Sequence, residues 1–288
     1  MGRAWLTALL ILCLPLAALA QPLVFSDPEA GVWRYQSEAM RVEITRRTDS
    51  SVPLVWYEAD LRLSRKAELC CYLSREERPE KSLKRPDVIA QRENLIYAQS
   101  DDFFAARVGS KTLRTGLIIR GQKIYHTGLY RTYGHSFPPL DTLALFPGGE
   151  ARVLKMGELT AEQYLLLGAT DVLSFGPILI RGGKMDPRLE TGYRDLEPRS
   201  AFGYVEPYHY IGIVVEGRHD ASRGCGLSFI ARRMLELGVQ EALNLDGGQT
   251  AAMVFMGEQL NTTGKFRKSV VRSLSGVLGV RDASPSEQ

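Results

Sequence analysis

Alternation of apolar and polar positions dominates the N-terminal third of the chain. Met40, Val42 and Ile44 share one face of residues 39–45, and residues 52–63 repeat the rhythm with Val, Trp, Tyr and Leu. That period of two is the signature of half-buried strands. A short apolar run at 95–98 predicts another strand, leading into Ser100-Asp101-Asp102-Phe103-Phe104. Residues 116–120 and 123–126 flank Gly121-Gln122, and residues 143–146 and 151–155 flank Pro147-Gly148-Gly149. Both arrangements predict hairpins.

The rhythm changes at residues 160–167, where Thr160 followed three positions later by Gln163 marks a capped helix start. Breakers bracket a predicted strand in Gly176-Pro177-Ile178-Leu179-Ile180-Arg181-Gly182-Gly183, and two more strands at 199–205 and 210–215 are separated by Glu206-Pro207. Ile230, Met234 and Leu237 line one face of a helix predicted over 228–237, with Ser228 as its cap and Gly238 as its stop. Residues 253–256 and 275–280 read as closing strands. The pattern predicts an α+β fold of mixed, largely antiparallel sheets with a few packed helices in a single compact domain. Within it, residues 21–85 form a β-rich segment packed on the main domain at 86–282, and residues 283–288 form a disordered polar tail.

The first twenty residues stand apart. Arg3, the apolar run 4–16 and Ala18-Leu19-Ala20 have the layout of a secretory signal peptide cleaved after Ala20, which leaves Gln21 as the mature start. Export to the periplasm or the extracellular space is the expectation, with no integral membrane span after signal removal. Cys13 lies between Leu12 and Leu14, without the small neighbours of a lipid-modified cysteine.

With 44% hydrophobic and 24% charged residues in 288, the chain is long enough to bury a sizeable core. Removing residues 1–20 takes away Arg3 and no acid, so the formal charge falls from 36 − 33 = +3 to 35 − 33 = +2. That balance gives no electrostatic case for a nucleic-acid partner. Of Cys70, Cys71 and Cys225, at most one of the adjacent pair is placed to reach Cys225, and the odd count leaves a free thiol. His126, His135, His209 and His219 never fall at the spacing of a helical metal pair.

The segment richest in chemistry is Glu241-Ala242-Leu243-Asn244-Leu245-Asp246-Gly247-Gly248-Gln249-Thr250. An apolar strand here ends in a carboxylate followed by two glycines that permit positive φ and close approach of a ligand. A tight hairpin turn at Asp246-Gly247 is the competing reading.

The order of motifs then resembles the phosphodiester glycosidase family. The resemblance is carried by Arg199-Ser200-Ala201-Phe202-Gly203, Val215-Glu216-Gly217-Arg218, Gly226-Leu227-Ser228, Leu237-Gly238 and the Asp246-Gly247-Gly248 strand. Upstream, Asp102-Phe103-Phe104 is similar to the family's Asn-Gly-x-Phe-Phe element, and Gly176-Pro177-Ile178-Leu179 with Gly182-Gly183-Lys184 to its Gly-Pro-x-Leu strand. It covers residues 86–282. The chain departs from the family pattern at Ser100 (Asn in the family), Glu216 (Asp) and Gln249-Thr250 (Gly-Ser).

The resemblance implies hydrolysis of a sugar-1-phosphodiester at the glycosidic C–O bond through an oxocarbenium-like transition state that carboxylates stabilise. Phosphate is a good leaving group, so guanidinium contacts take the place of a strong general acid. It implies Asp246 at the anomeric centre, with Glu216 as second acid and Asp102 binding sugar hydroxyls or assisting water. Arg199 and Arg218 would hold phosphate, with Gly247, Gly248 and Asn244 close to the substrate and His219 and Thr250 as neighbours. No cofactor is required. Asp101 and Asp102, with Asp246 and Asn244, are the candidate oxygen ligands should a divalent cation bind. The partner is a small or polymeric sugar phosphodiester, in envelope or exopolysaccharide metabolism. The alternative is a catalytically inactive periplasmic carbohydrate- or polymer-binding protein on the same scaffold, to which the departures at Ser100 and Gln249 point.

Overall fold

The computed structural model describes residues 21–108, 110, 113–128, 138–262 and 271–282. The expected signal peptide, the tail at 283–288 and His135 lie outside the described residues.

Three sheets pack together, and every pairing among their strands is antiparallel. The largest has nine strands, in spatial order Leu23–Asp27, Val32–Gln36, Met40–Asp49, Leu54–Leu63, His209–Val215, Arg199–Glu206, Glu241–Leu245, Ile178–Arg181 and Lys184–Met185. The second runs Glu150–Leu154, Asp141–Phe146, Asp171–Phe175, Leu117–Arg120 and Lys123–Thr127, and the third Glu258–Gln259, Met253–Phe255, Tyr97–Ser100, Gly276–Asp282 and Ala67–Leu73. The fold is α+β with largely antiparallel sheets, as the sequence pattern predicts. Sheet hydrogen bonds cross the sequence boundary at residue 85, for Leu54–Leu63 pairs with His209–Val215 and Ala67–Leu73 pairs with Gly276–Asp282.

The period-two pattern divides the large sheet's side chains between two cores. Val42, Ile44, Tyr57, Leu61, Phe202, Val214, Leu243 and Leu245 join Leu143 and Leu173 of the second sheet and Tyr97, Met253 and Leu278 of the third. On the opposite face, Leu179, Ala201, Ile211, Ile213 and Val215 are covered by Leu227, Ile230, Ala231 and Met234 of the helix Leu227–Glu236. The helices Pro86–Arg92 and Ala161–Leu166 cover smaller clusters on the third and second sheets. None of these helices is long and apolar enough to cross a membrane.

The expected cap at Ser228 is displaced. Gly226 is the N-cap and makes no side-chain cap bond; instead Leu227 N donates to Tyr193 O at 3.1 Å. A backbone carbonyl from a distant segment thus does what a local hydroxyl was expected to do. Thr160, by contrast, caps as read, with Gln163 returning the bond to its backbone N–H. Cys70, Cys71 and Cys225 are all free thiols, because the adjacent pair lies in the third sheet while Cys225 is buried under the helix.

Candidate active site

Strand register builds the site. Arg199 pairs with Val215, and Ser200 pairs with both Val214 and Leu245. The first residues beyond that edge, Pro198, Glu216 and Asp246, therefore emerge side by side. The third sheet's Tyr97–Ser100 delivers Asp101 and Asp102 to the same end, and the second sheet's Asp171–Phe175 delivers Phe175. Asp246 N donates to Asp101 O at 3.4 Å, which ties the two acidic turns together.

A cavity of about 340 Å3 opens at this junction. Asp246, Gly247, Gly248 and Gln249 line it together with Asn244, Arg199, Arg218 and Arg272. Asp246 is half-buried, with one face on the cavity. Burial of its carboxyl pushes the pKa up to about 6; Thr250, Arg107 and Arg272 oppose the rise, and Asp102 adds to it. The Thr250 hydroxyl favours the Asp246 carboxylate by proximity and makes no well-formed hydrogen bond among the described residues. A carboxyl titrating near 6 can exchange a proton with water or substrate at neutral pH.

The two glycines differ in their reasons. A Cβ at Gly247 would stand 2.5 Å from Pro198 O, so its bare backbone serves packing against the neighbouring strand. Gly248 has φ +63°, donates its N–H to Pro198 O at 2.9 Å, and leaves only 3.3 Å between a Cβ and the Arg218 guanidinium. The Asp-Gly-Gly run thus opens a short 3-10 turn, Gly248–Thr250, and not the hairpin that was its competing reading.

Among the described residues Arg199 is held by backbone carbonyls, with Nε donating to Cys225 O at 3.2 Å and Nη2 to Asp195 O at 2.9 Å. Burial pulls its pKa down, yet an arginine stays charged. Arg218, left-handed at φ 67°, pairs through Nε with Glu197 Oε2 at 2.6 Å. Asn244 Nδ2 donates to Gly176 O at 2.9 Å, while its Oδ1 is buried with no partner among the described residues. That leaves an acceptor for a ligand hydroxyl.

Three residues expected at the reacting centre are placed elsewhere. Asp102 is fully buried behind the cavity, where Oδ1 accepts from Arg120 Nη2 at 2.7 Å and Oδ2 from Ser174 N at 2.7 Å. Its geometry is that of an anchor between the second and third sheets. Glu216 continues the Val214 face of its strand toward the inter-sheet core; Thr262 N donates to its Oε1 at 2.8 Å and His219 Nε2 lies 3.1 Å from Oε2. Burial holds the Glu216 carboxyl above the usual range. Neither Glu216 nor His219 lines the cavity.

Asp101 and Asp102 do not fit a divalent cation. Asp101 Oδ1 accepts from Phe103 N at 2.9 Å, its Oδ2 lies 3.5 Å from Arg120, and Arg107 lies 3.9 Å from Asp102. Two buried guanidiniums already supply the positive charge a cation would bring. Among the described residues no group of three or more His, Cys, Asp or Glu side chains is arranged around a common point. Ser100 is also remote: it is fully buried, and its hydroxyl accepts from Ala252 N at 3.2 Å and donates to Ser200 Oγ.

Sequence reading missed Arg107, Arg120, Glu197 and Arg272. Glu197 stood two positions before Arg199 and was legible as a neighbour. Arg107 lies five residues after Asp102 and bonds its carbonyl, whereas Arg120 and Arg272 are brought in from distant parts of the chain, by the strand Leu117–Arg120 and by the backbone bond from Arg272 N to Gln249 O.

Comparison with known proteins follows the same outline. The family model for phosphodiester glycosidases matches residues 93–281. The catalytic domain of zebrafish N-acetylglucosamine-1-phosphodiester alpha-N-acetylglucosaminidase, auto-inhibited by pro-peptide, is similar with a TM-score of 0.63 at 19% identity, over 85% of this chain and 84% of that one. A putative exported protein from Burkholderia pseudomallei has a TM-score of 0.54 at 12% identity, over 79% and 74% of the two chains. A hypothetical protein from Synechocystis has 0.53 at 13%, over 85% and 62%. At these identities the likeness is one of fold. No curated protein matches the sequence.

Proposed function

Because the chain belongs to the phosphodiester glycosidase family, we propose that it hydrolyses the glycosidic C–O bond of a sugar-1-phosphodiester, such as an N-acetylglucosamine-1-phosphodiester, with Asp246 at the anomeric carbon. The observation that carries this reading is the convergence on one cavity of the Asp246 carboxyl, whose pKa burial raises to about 6, with Arg199 and Arg218. Water oxygen bonds to the anomeric carbon as the bond from that carbon to the phosphate oxygen breaks. The electron pair leaves with the phosphate monoester. Asp246 takes the water proton and returns it to solvent, and the guanidiniums offset the negative charge gathering on the leaving group. The unpaired Asn244 Oδ1 accepts a sugar hydroxyl. Asp102 acts at a distance, holding Arg120 and the acidic turn in place.

We also propose that the protein is exported after cleavage at Ala20 and acts on envelope or exopolysaccharide sugar phosphodiesters. N-terminal sequencing of exported protein would begin at Gln21; an intact Met1 would exclude cleavage. For the activity, purified protein is assayed on UDP-N-acetylglucosamine and other sugar-1-phosphodiesters beside Asp246→Asn. Release of free sugar by the wild type and its loss in the variant supports the reading. Equal trace release by both overturns it for those substrates, and substrate binding without turnover favours a binding protein on this scaffold.

A further inference from the structure

The cavity holds three arginines, and their charges are not equally available. Arg218 is matched by the Glu197 carboxylate at 2.6 Å. Arg199 spends two donors on carbonyl oxygens and has no carboxylate at ion-pair distance among the described residues. Arg272 pairs with no carboxylate among the described residues; its guanidinium carbon lies 5.6 Å from the centroid of the Phe103 ring. A guanidinium against an aromatic face keeps its in-plane N–H donors free for an anion.

The position of Arg272 is fixed from both sides of the site. Its backbone N–H donates to Gln249 O at 3.1 Å, immediately after the double glycine. Phe103, the ring beneath it, is itself held in a left-handed conformation at φ 37° by the Asp101 carboxylate. Arg272 thus connects the two turns that carry Asp101 and Asp246. An exposed, charged side chain with its backbone fixed and its head over a ring is poised at the cavity wall, and bidentate contact with phosphate is what a planar guanidinium does best.

We infer that Arg272 is a specificity-determining residue that binds the phosphate of the substrate, acting with Arg199 and ahead of the ion-paired Arg218; for the identity of the substrate the inference rests on the glycosidase reading above. A residue serving only to balance the Asp246 charge would affect all substrates alike. One that grips phosphate would affect only those that carry it.

The test compares wild type, Arg272→Ala, Arg272→Lys and Arg218→Ala in two measurements, calorimetric titration with inorganic phosphate and turnover of a sugar-1-phosphodiester against an uncharged aryl glycoside of the same sugar. Melting temperature confirms that each variant is folded. Expected for Arg272→Ala is a loss of roughly tenfold or more in phosphate affinity, and an equal extra loss in kcat/KM on the phosphodiester relative to the aryl glycoside. Arg272→Lys keeps the charge but not the fork and falls between, and Arg218→Ala loses less than Arg272→Ala. Failure of the wild type to bind phosphate, unchanged affinity in Arg272→Ala, or a larger loss in Arg218→Ala overturns the inference. A wild type that binds phosphate through Arg272 but turns over no sugar phosphodiester leaves the inference standing and overturns the glycosidase reading instead.

Discussion

Replacing Asp246 by Asn separates the catalytic and the structural consequences of burying this carboxyl. Its folded-state pKa of about 6 stands above an unfolded value near 3.9. The protonated acid is therefore the form the fold prefers. The stability tied to that preference is fully present below about pH 4 and is lost as pH rises through about 6. At about 1.4 kcal/mol per tenfold in proton affinity the raised value corresponds to ~3 kcal/mol at high pH, reduced to ~2 kcal/mol because the residue keeps one face on the cavity. Asn carries no charge to desolvate. Asp246→Asn should match the wild type in urea unfolding near pH 4 and exceed it by ~2 kcal/mol near pH 8, while kcat falls by roughly 10²–10⁴. A stability difference that is flat from about pH 4 to about pH 8 would refute the argument that burial raises this group. A variant destabilised at high pH would show that the ionised carboxylate is held by stronger contacts than the structure gives it.

Removing Arg120 as Arg120→Met leaves Asp102 and Asp101 buried without their shared cation and should cost about 3–5 kcal/mol, read from urea midpoints. Gly247→Ala forces a methyl group against Pro198 O and should push Asp246 away from Arg199; the expected result is a fall in kcat/KM of at least about tenfold, and unchanged kinetics would show that the strand edge yields freely. Thr160→Ala removes the capping box of a helix outside the catalytic cavity. It should lower stability by about 1 kcal/mol, read by thermal unfolding, and leave turnover as it was.

Local chemistry made several features legible. The Gly121-Gln122 hairpin, the Pro147-Gly148-Gly149 turn and the Thr160 cap each follow from a few adjacent residues, and each is where the sequence places it. The strands Leu23–Asp27, Val32–Gln36, Ala67–Leu73 and Asp171–Phe175 and the helix Pro86–Arg92 went unread. Leu23–Asp27 is an exposed edge strand without alternation in burial, and Asp171–Phe175 is buried along its whole length, so neither carries a period-two pattern. In the site, Asp246, Arg199, Arg218 and Asn244 were found from order along the chain and meet in one cavity. Glu216 and Asp102 were found by the same order and face other surroundings. A side chain's face at a strand end depends on one residue of register, which motif order does not contain.

The sequence by itself determined the periods of its strands and helices, the Asp-Gly-Gly turn, and membership of a family through motifs in a fixed order. Those depend on neighbouring residues and on backbone conformations that each residue type permits. The tertiary structure alone decided which charges face the cavity. Tyr97–Ser100 pairs with Gly276–Asp282 and Arg199–Glu206 with Glu241–Leu245, strands far apart in the chain. Those pairings bring Arg272 to the Asp246 turn, the second sheet's Leu117–Arg120 brings Arg120 behind it, and the register of His209–Val215 turns Glu216 away. Desolvation and Coulomb energy depend on distances in space, so the chemistry of Asp246 emerges with the fold and not before it.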